Sequence, residues 1–272
     1  MRVILTIAEA VYAFQSMRDR VTFMNHEHIL PGDSSKLYYH PAPRRKRISE
    51  QGRDPYDGLR PWSAITHGAG ALLGVVGTVA LLLRAWALGL DAWHVVSFLI
   101  YGLSMIGLYT ASTLYHCVNT SVKGRIALRK YDHTSIYLLI AGSYTPICLV
   151  PLRTYGLWGW VLFGVIWALA LAGFALAVAW IDAPRWVTSG LCLFMGWMAL
   201  VALVPLTQVL PAAGFFWLLA GGVLYSVGGV LYAVKWPGRN NPRFGCHEIF
   251  HVFILLGSVC HFILMYQVVA FL

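Results

Sequence analysis

Gly245-Cys246-His247-Glu248-Ile249-Phe250-His251-Val252-Phe253-Ile254-Leu255-Leu256 sets two histidines one helical turn apart at the mouth of a long apolar run. From 247 to 271 the only acidic or basic residue other than histidine is Glu248. About 20 helical residues, at 1.5 Å rise each, cover the ~30 Å hydrocarbon core of a bilayer. The segment therefore predicts a membrane-spanning helix that begins with a pair of imidazoles. His247-Glu248-x-x-His251 also has the spacing of the H-E-x-x-H zinc proteases. Spacing alone does not decide between a protease, another zinc site and a histidine-rich helix, because residues four apart share a face in any helix.

Working outward, six further runs of similar length fall near 63–84, 93–116, 132–151, 156–180, 186–207 and 213–235. The mean hydropathy is +0.66, and only 11% of the residues are charged against roughly 25% in a soluble domain. After Pro61 the acids are reduced to Asp91, Asp132, Asp182 and Glu248. No run alternates as a barrel strand would, and only helices or closed barrels satisfy the backbone in lipid. The expected fold is all-α, a polytopic membrane domain of seven transmembrane helices over 61–272, preceded by a water-facing basic tail over 1–60. Within that tail, Val3, Ile4, Ile7, Val11 and Phe14 form an apolar stripe suited to an interfacial helix. Glycines at 68, 70, 74 and 77, and at 221, 222, 228 and 229, are expected to let helices approach closely, and Pro146 to kink the third run.

The net charge of +9 is a topology signal rather than a nucleic-acid signal, because its positive residues cluster beside the apolar runs. Arg44, Arg45, Lys46, Arg47, Arg53 and Arg60 precede the first run. Lys123, Arg125, Arg129 and Lys130 follow the second, and Lys235, Arg239 and Arg243 follow the sixth. The alternate connections hold little charge. By the positive-inside rule the N-terminus is expected in the cytoplasm and the C-terminus outside. Five cysteines without a C-x-x-C pair, mostly within apolar runs, give no disulfide framework.

This topology brings the embedded polar residues to one depth. His116 ends the second run, Asp132 opens the third, and His247 and His251 open the seventh, all at the cytoplasmic level. Ionisable groups in a bilayer are costly and face the bundle interior, so their convergence points to a site. Three imidazoles suit Zn2+ with a fourth, open tetrahedral position. A carboxylate such as Asp132 would accept a proton from a zinc-bound water. Ser112 lies one turn before His116 on the same face and is placed to hydrogen-bond in support. His67 reads as a packing or capping residue. His261 lies about 15 Å deeper than His251 on another face, and His133 points away from Asp132.

Ser112-x-x-x-His116, Lys130-Tyr131-Asp132-His133 and His247-x-x-x-His251, with Thr66-His67-Gly68-Ala69-Gly70 on the first run, resemble the hemolysin III branch of the progestin and adipoQ receptor family. The resemblance spans roughly 60–272 and leaves the tail uncovered. It implies seven helices, a cytoplasmic N-terminus, zinc on His116, His247 and His251, and polar roles for Asp132 and Ser112. Through the adiponectin receptors and alkaline ceramidases it implies hydrolysis of a lipid amide or ester, with a membrane lipid as substrate or ligand. The likeness to bacterial members implies a location in the plasma (bacterial inner) membrane.

The leading expectation is thus a zinc-dependent intramembrane lipid hydrolase. The alternatives are a non-enzymatic regulator of membrane-lipid homeostasis with structural zinc, a hemolysin-like pore-former, and the H-E-x-x-H protease. An open fourth position favours catalysis over a structural ion. The pore reading lacks a regular polar stripe. With Asp132 available, Glu248 is expected to point to the loop or to cap the start of its helix, where an acid suits the dipole.

Overall fold

The starts of the helices are written into the sequence. Pro61 occupies the first turn of its helix, where a missing N–H costs nothing. The Asp91 carboxylate accepts from the His94 backbone N–H at 3.1 Å, and Ser121 accepts from Gly124 at 3.2 Å. In the computed structural model, which describes residues 59–238, 241 and 244–272, every regular element among the described residues is helical.

These are α1 (Pro61–Ala87), α2 (Ala92–Cys117), α3 (Val122–Leu149), α4 (Trp158–Ala179), α5 (Arg185–Trp197), α6 (Leu203–Val209), α7 (Ala212–Val234) and α8 (Cys246–Gln267). A 3-10 turn over Met198–Ala202 joins α5 to α6, and the two form one continuous crossing segment. Apart from its last two residues, the tail expected over 1–60 lies outside the described residues, as do Arg239 and Arg243.

Six segments are long and apolar enough to cross a membrane: α1, α2, α4, α5 with α6, α7, and α8 with its terminal turn. The chain is a multi-pass membrane protein. Large apolar side chains such as Leu72, Leu83, Leu157 and Val204 stand exposed on the outside of the helices, as lipid-facing residues must. Exposed tryptophans gather at helix ends: Trp62 and Trp86 on α1, Trp93 on α2, Trp158 and Trp180 at α4, Trp186 on α5 and Trp236 after α7. Their amphipathic rings suit the headgroup level.

The remaining expected run, the third (132–151), lies in α3, and here the structure corrects the sequence reading. The charged stretch 123–130 is not a loop but the first turns of α3, and Asp132 sits inside the helix rather than opening it. The physical reason is that its arginines find partners. Fully buried Arg125 reaches the Tyr115 and Val118 carbonyls, filling the orphan acceptors at the end of α2, and its guanidinium stacks over the Tyr115 ring. Arg129 pairs with Asp182 at 2.9 Å. Pro146 lies in the last turn, three residues before α3 ends at Leu149.

Small residues set the spacing between helices. A side chain at Gly70 would meet Leu255 and Tyr109, and one at Gly173 would meet the Tyr137 ring at 2.6 Å. Gly68, Gly74, Gly77, Gly221, Gly228 and Gly229 likewise face a neighbouring helix, whereas Gly222 has nothing within 4 Å. The close-packing expectation holds for all of them but Gly222.

Candidate metal centre

α2 delivers His116 from its last turn, and α8 delivers His247 and His251 from its first two turns. The ligand nitrogens of these three residues lie within 4.8 Å of one another. Nε2 of His247 and Nε2 of His116 face each other at 3.0 Å. His251 is buried, and its Nδ1 lies 3.3 Å from the Ser63 carbonyl and 3.5 Å from Thr66 Oγ1. A carbonyl oxygen can only accept, so Nδ1 carries the proton and Nε2 keeps its lone pair for a ligand. The cluster can hold a metal ion.

Asp132 comes from the middle of α3. Its carboxylate interacts with His133, His116 and His67, and Ser112 lies beside it on the same cavity wall. His133, expected to point away, instead brings Nδ1 to 3.3 Å from Asp132 Oδ2. All five candidate residues, Ser112, His116, Asp132, His247 and His251, therefore meet at one end of the bundle.

Ser63 and Thr66 of α1 also reach this centre, which the sequence reading did not foresee, and His67 takes the packing role expected of it. His67 stacks on His251 with ring centroids 3.5 Å apart and planes within 6°, and both its nitrogens are buried without a partner. Ser63, Thr66 and His67 recur at i, i+3 and i+4 in the first half of α1, which is otherwise apolar. That spacing was the signal for a polar stripe facing the interior.

Glu248 is turned away from this centre. Its carboxylate accepts from Arg60 at 3.1 Å, from Ser63 Oγ at 3.0 Å and from the Gly245 backbone N–H at 2.8 Å. It caps α8 and ties that helix to α1, so the H-E-x-x-H spacing does not bring the glutamate to the histidines. His261 is not part of the cluster. Of the cysteines beside the histidines, Cys246 is buried and Cys117 exposed, and neither joins the metal group among the described residues.

A cavity of about 250 Å³ starts at this centre, where His67, Ser112, Asp132, His247 and His251 line it. It continues between α3, α5, α7 and α8 past mostly apolar side chains.

The model of the haemolysin-III related family matches residues 61–262. The chain belongs to the haemolysin-III related family. It is 41% identical over 200 residues to a hemolysin-3 homolog of Bacillus subtilis, covering 74% of this chain and 89% of the relative. It is 41% identical over 202 residues to hemolysin-3 of Bacillus cereus, covering 74% and 87%. The monocyte to macrophage differentiation factor of Homo sapiens is 27% identical over 208 residues, covering 72% and 79%. In this haemolysin-III related chain the matched segment contains all three metal-cluster histidines.

Proposed function

We propose that this haemolysin-III related protein is a zinc-dependent intramembrane hydrolase of lipid amides or esters, set in the plasma membrane. The observation that carries the reading is the junction of the three-histidine cluster with a carboxylate and a long apolar cavity. With Zn–N bonds of about 2.0–2.1 Å, a tetrahedral ion places its nitrogens roughly 3.3 Å apart. The facing Nε2 atoms of His116 and His247 stand close to that spacing. Zinc, when bound, supplies Lewis acidity and lowers the pKa of a bound water.

The protein's own residues do the rest. Ser63 fixes the tautomer and orientation of His251. Asp132 accepts the proton of the attacking water, and Ser112 holds the carboxylate in place for it. The apolar cavity walls bind the acyl chain and keep bulk water from the reacting bond.

The same reading has seven crossings, with α3 as the seventh. Its first half packs on the end of α2 through Arg125, and its second half packs on Ser104, a residue from the middle of α2, through Gly142. Along its other side it meets α4 in the opposite sense, from Arg129 near Asp182 to Cys148 against Gly159. A helix enclosed by two crossing helices along its length crosses with them. Beyond its first turns, Thr134, Ser135, Ser143 and Thr145 are tolerated because they are buried in protein.

The test is lipid turnover by the purified protein, with and without a chelator, against a panel of ceramides, N-acyl amides and acyl esters. Chelator-sensitive release of a fatty acid is expected. Absence of turnover together with a chelator-induced fall in thermal stability would favour a regulator with a structural ion.

A further inference from the structure

Beyond the metal centre, a second polar station lies on the same cavity. His261 and Tyr225 line it from α8 and α7. His261 is 8% exposed, and its Nδ1 is buried without a hydrogen-bond partner. Its Nε2 lies 3.4 Å from the Leu218 carbonyl. The carbonyl can only accept, so Nε2 bears the proton and Nδ1 presents a bare lone pair. α7 passes so close to the ring at Gly221 that any side chain there would run into the imidazole.

Tyr225 packs edge-on against His261 with ring centroids 5.2 Å apart. Its hydroxyl shares Ser258 Oγ, at 2.9 Å, with the hydroxyl of Tyr109, which donates to the same oxygen at 2.6 Å. Ser258 can pass its own proton to Tyr225, which frees the phenolic proton for the cavity. The station then offers one acceptor and one donor within mostly apolar walls. A buried acceptor without a partner is unfavourable, so the site favours a ligand that supplies a hydrogen. A hydroxyl is the smallest group that both gives and takes one.

We propose that His261 and Tyr225 form a recognition site for a hydroxyl carried on the lipid chain, distal to the group held at the metal centre. His251 and His261 are ten residues apart on one helix, which sets the two stations roughly 15 Å apart along the axis. The site selects hydroxylated over plain acyl chains. This inference rests on the reading of the cavity as an acyl-chain site.

The test uses zinc-loaded protein in lipid nanodiscs and measures the binding of stearic acid and of a positional series of hydroxystearic acids. Wild-type protein is expected to bind the isomer with its hydroxyl roughly 15 Å from the carboxylate about three- to tenfold more tightly than stearic acid, the effect of one net hydrogen bond. His261→Phe should abolish this preference, bringing the hydroxylated and plain acids to the same affinity. His261→Gln, which keeps an acceptor, should retain part of it, and Tyr225→Phe should reduce it. Equal wild-type binding of all the acids, with lipid hydrolysis intact, overturns the subsite and leaves the proposed reaction standing. Failure of every acid to bind overturns the acyl-chain reading and the subsite together.

Discussion

The Glu248 carboxylate lies 3.1 Å from the Arg60 guanidinium, a pairing across 188 positions of sequence. Arg60 also donates its backbone N–H to the His116 carbonyl at 3.0 Å. One residue at the entry to α1 thus ties down the end of α2 and the start of α8, the two helices that carry the histidines. Replacing Glu248 with alanine should lower stability by about 1–3 kcal/mol, since three donors lose their acceptor. The thermal midpoint of the purified protein reads this out. Metal content of the folded fraction should stay at the wild-type level, and a zinc loss as deep as that of His251→Ala would contradict the separation of roles.

Single alanine replacements of His116, His247 and His251 should each lower bound zinc well below the wild-type stoichiometry. His261→Gln and Glu248→Gln should not, because neither side chain joins the cluster. Elemental analysis of the purified variants checks the ranking. Undiminished zinc in both His116→Ala and His251→Ala would remove the proposed centre.

Asp132→Asn should keep zinc and fold while losing turnover by about 10²–10⁴, the usual worth of a positioned general base. Ser112→Ala should lose less, since it acts through the carboxylate. Glu248→Gln should retain most activity. An active Asp132→Asn beside a dead Glu248→Gln would restore the protease reading.

Arg125 has no exposed surface and serves the end of α2 through the Tyr115 and Val118 carbonyls. Arg125→Ala should cost about 1–3 kcal/mol by stranding buried acceptors. Lysine should rescue only part of this, because an ammonium lacks the planar fork that reaches two carbonyls and stacks on an aromatic face. Thermal unfolding of the two variants distinguishes these outcomes.

Reporter fusions should place the N-terminus in the cytoplasm and the C-terminus outside, as an odd number of crossings requires. Termini on the same side would remove α3 from the crossings and leave the six segments that composition alone identifies.

Local sequence was enough to reveal the membrane class and the three-histidine set. Long apolar runs announce helices because lipid offers the backbone no other partner. Charge between the runs brought His116, Asp132, His247 and His251 to a common depth, and depth is a one-dimensional property that a sequence carries. The glutamate in H-E-x-x-H could be read as a helix cap for the same reason, since capping is local.

Lateral relationships were decided only by the packed bundle. Which way a helix face turns depends on neighbours distant in the chain, and a buried polar group settles where a partner satisfies it. Hence Arg125 and its neighbours read as a loop, yet they are helical because the end of α2 and Asp182 supply partners. His67 read as packing, and only the bundle shows that the ring it packs on is His251. His133 reaches back to Asp132, a path that helical wheel angles do not show. The cavity joining the metal centre to His261 is a property of the space between α3, α5, α7 and α8, and no single segment encodes a space between helices.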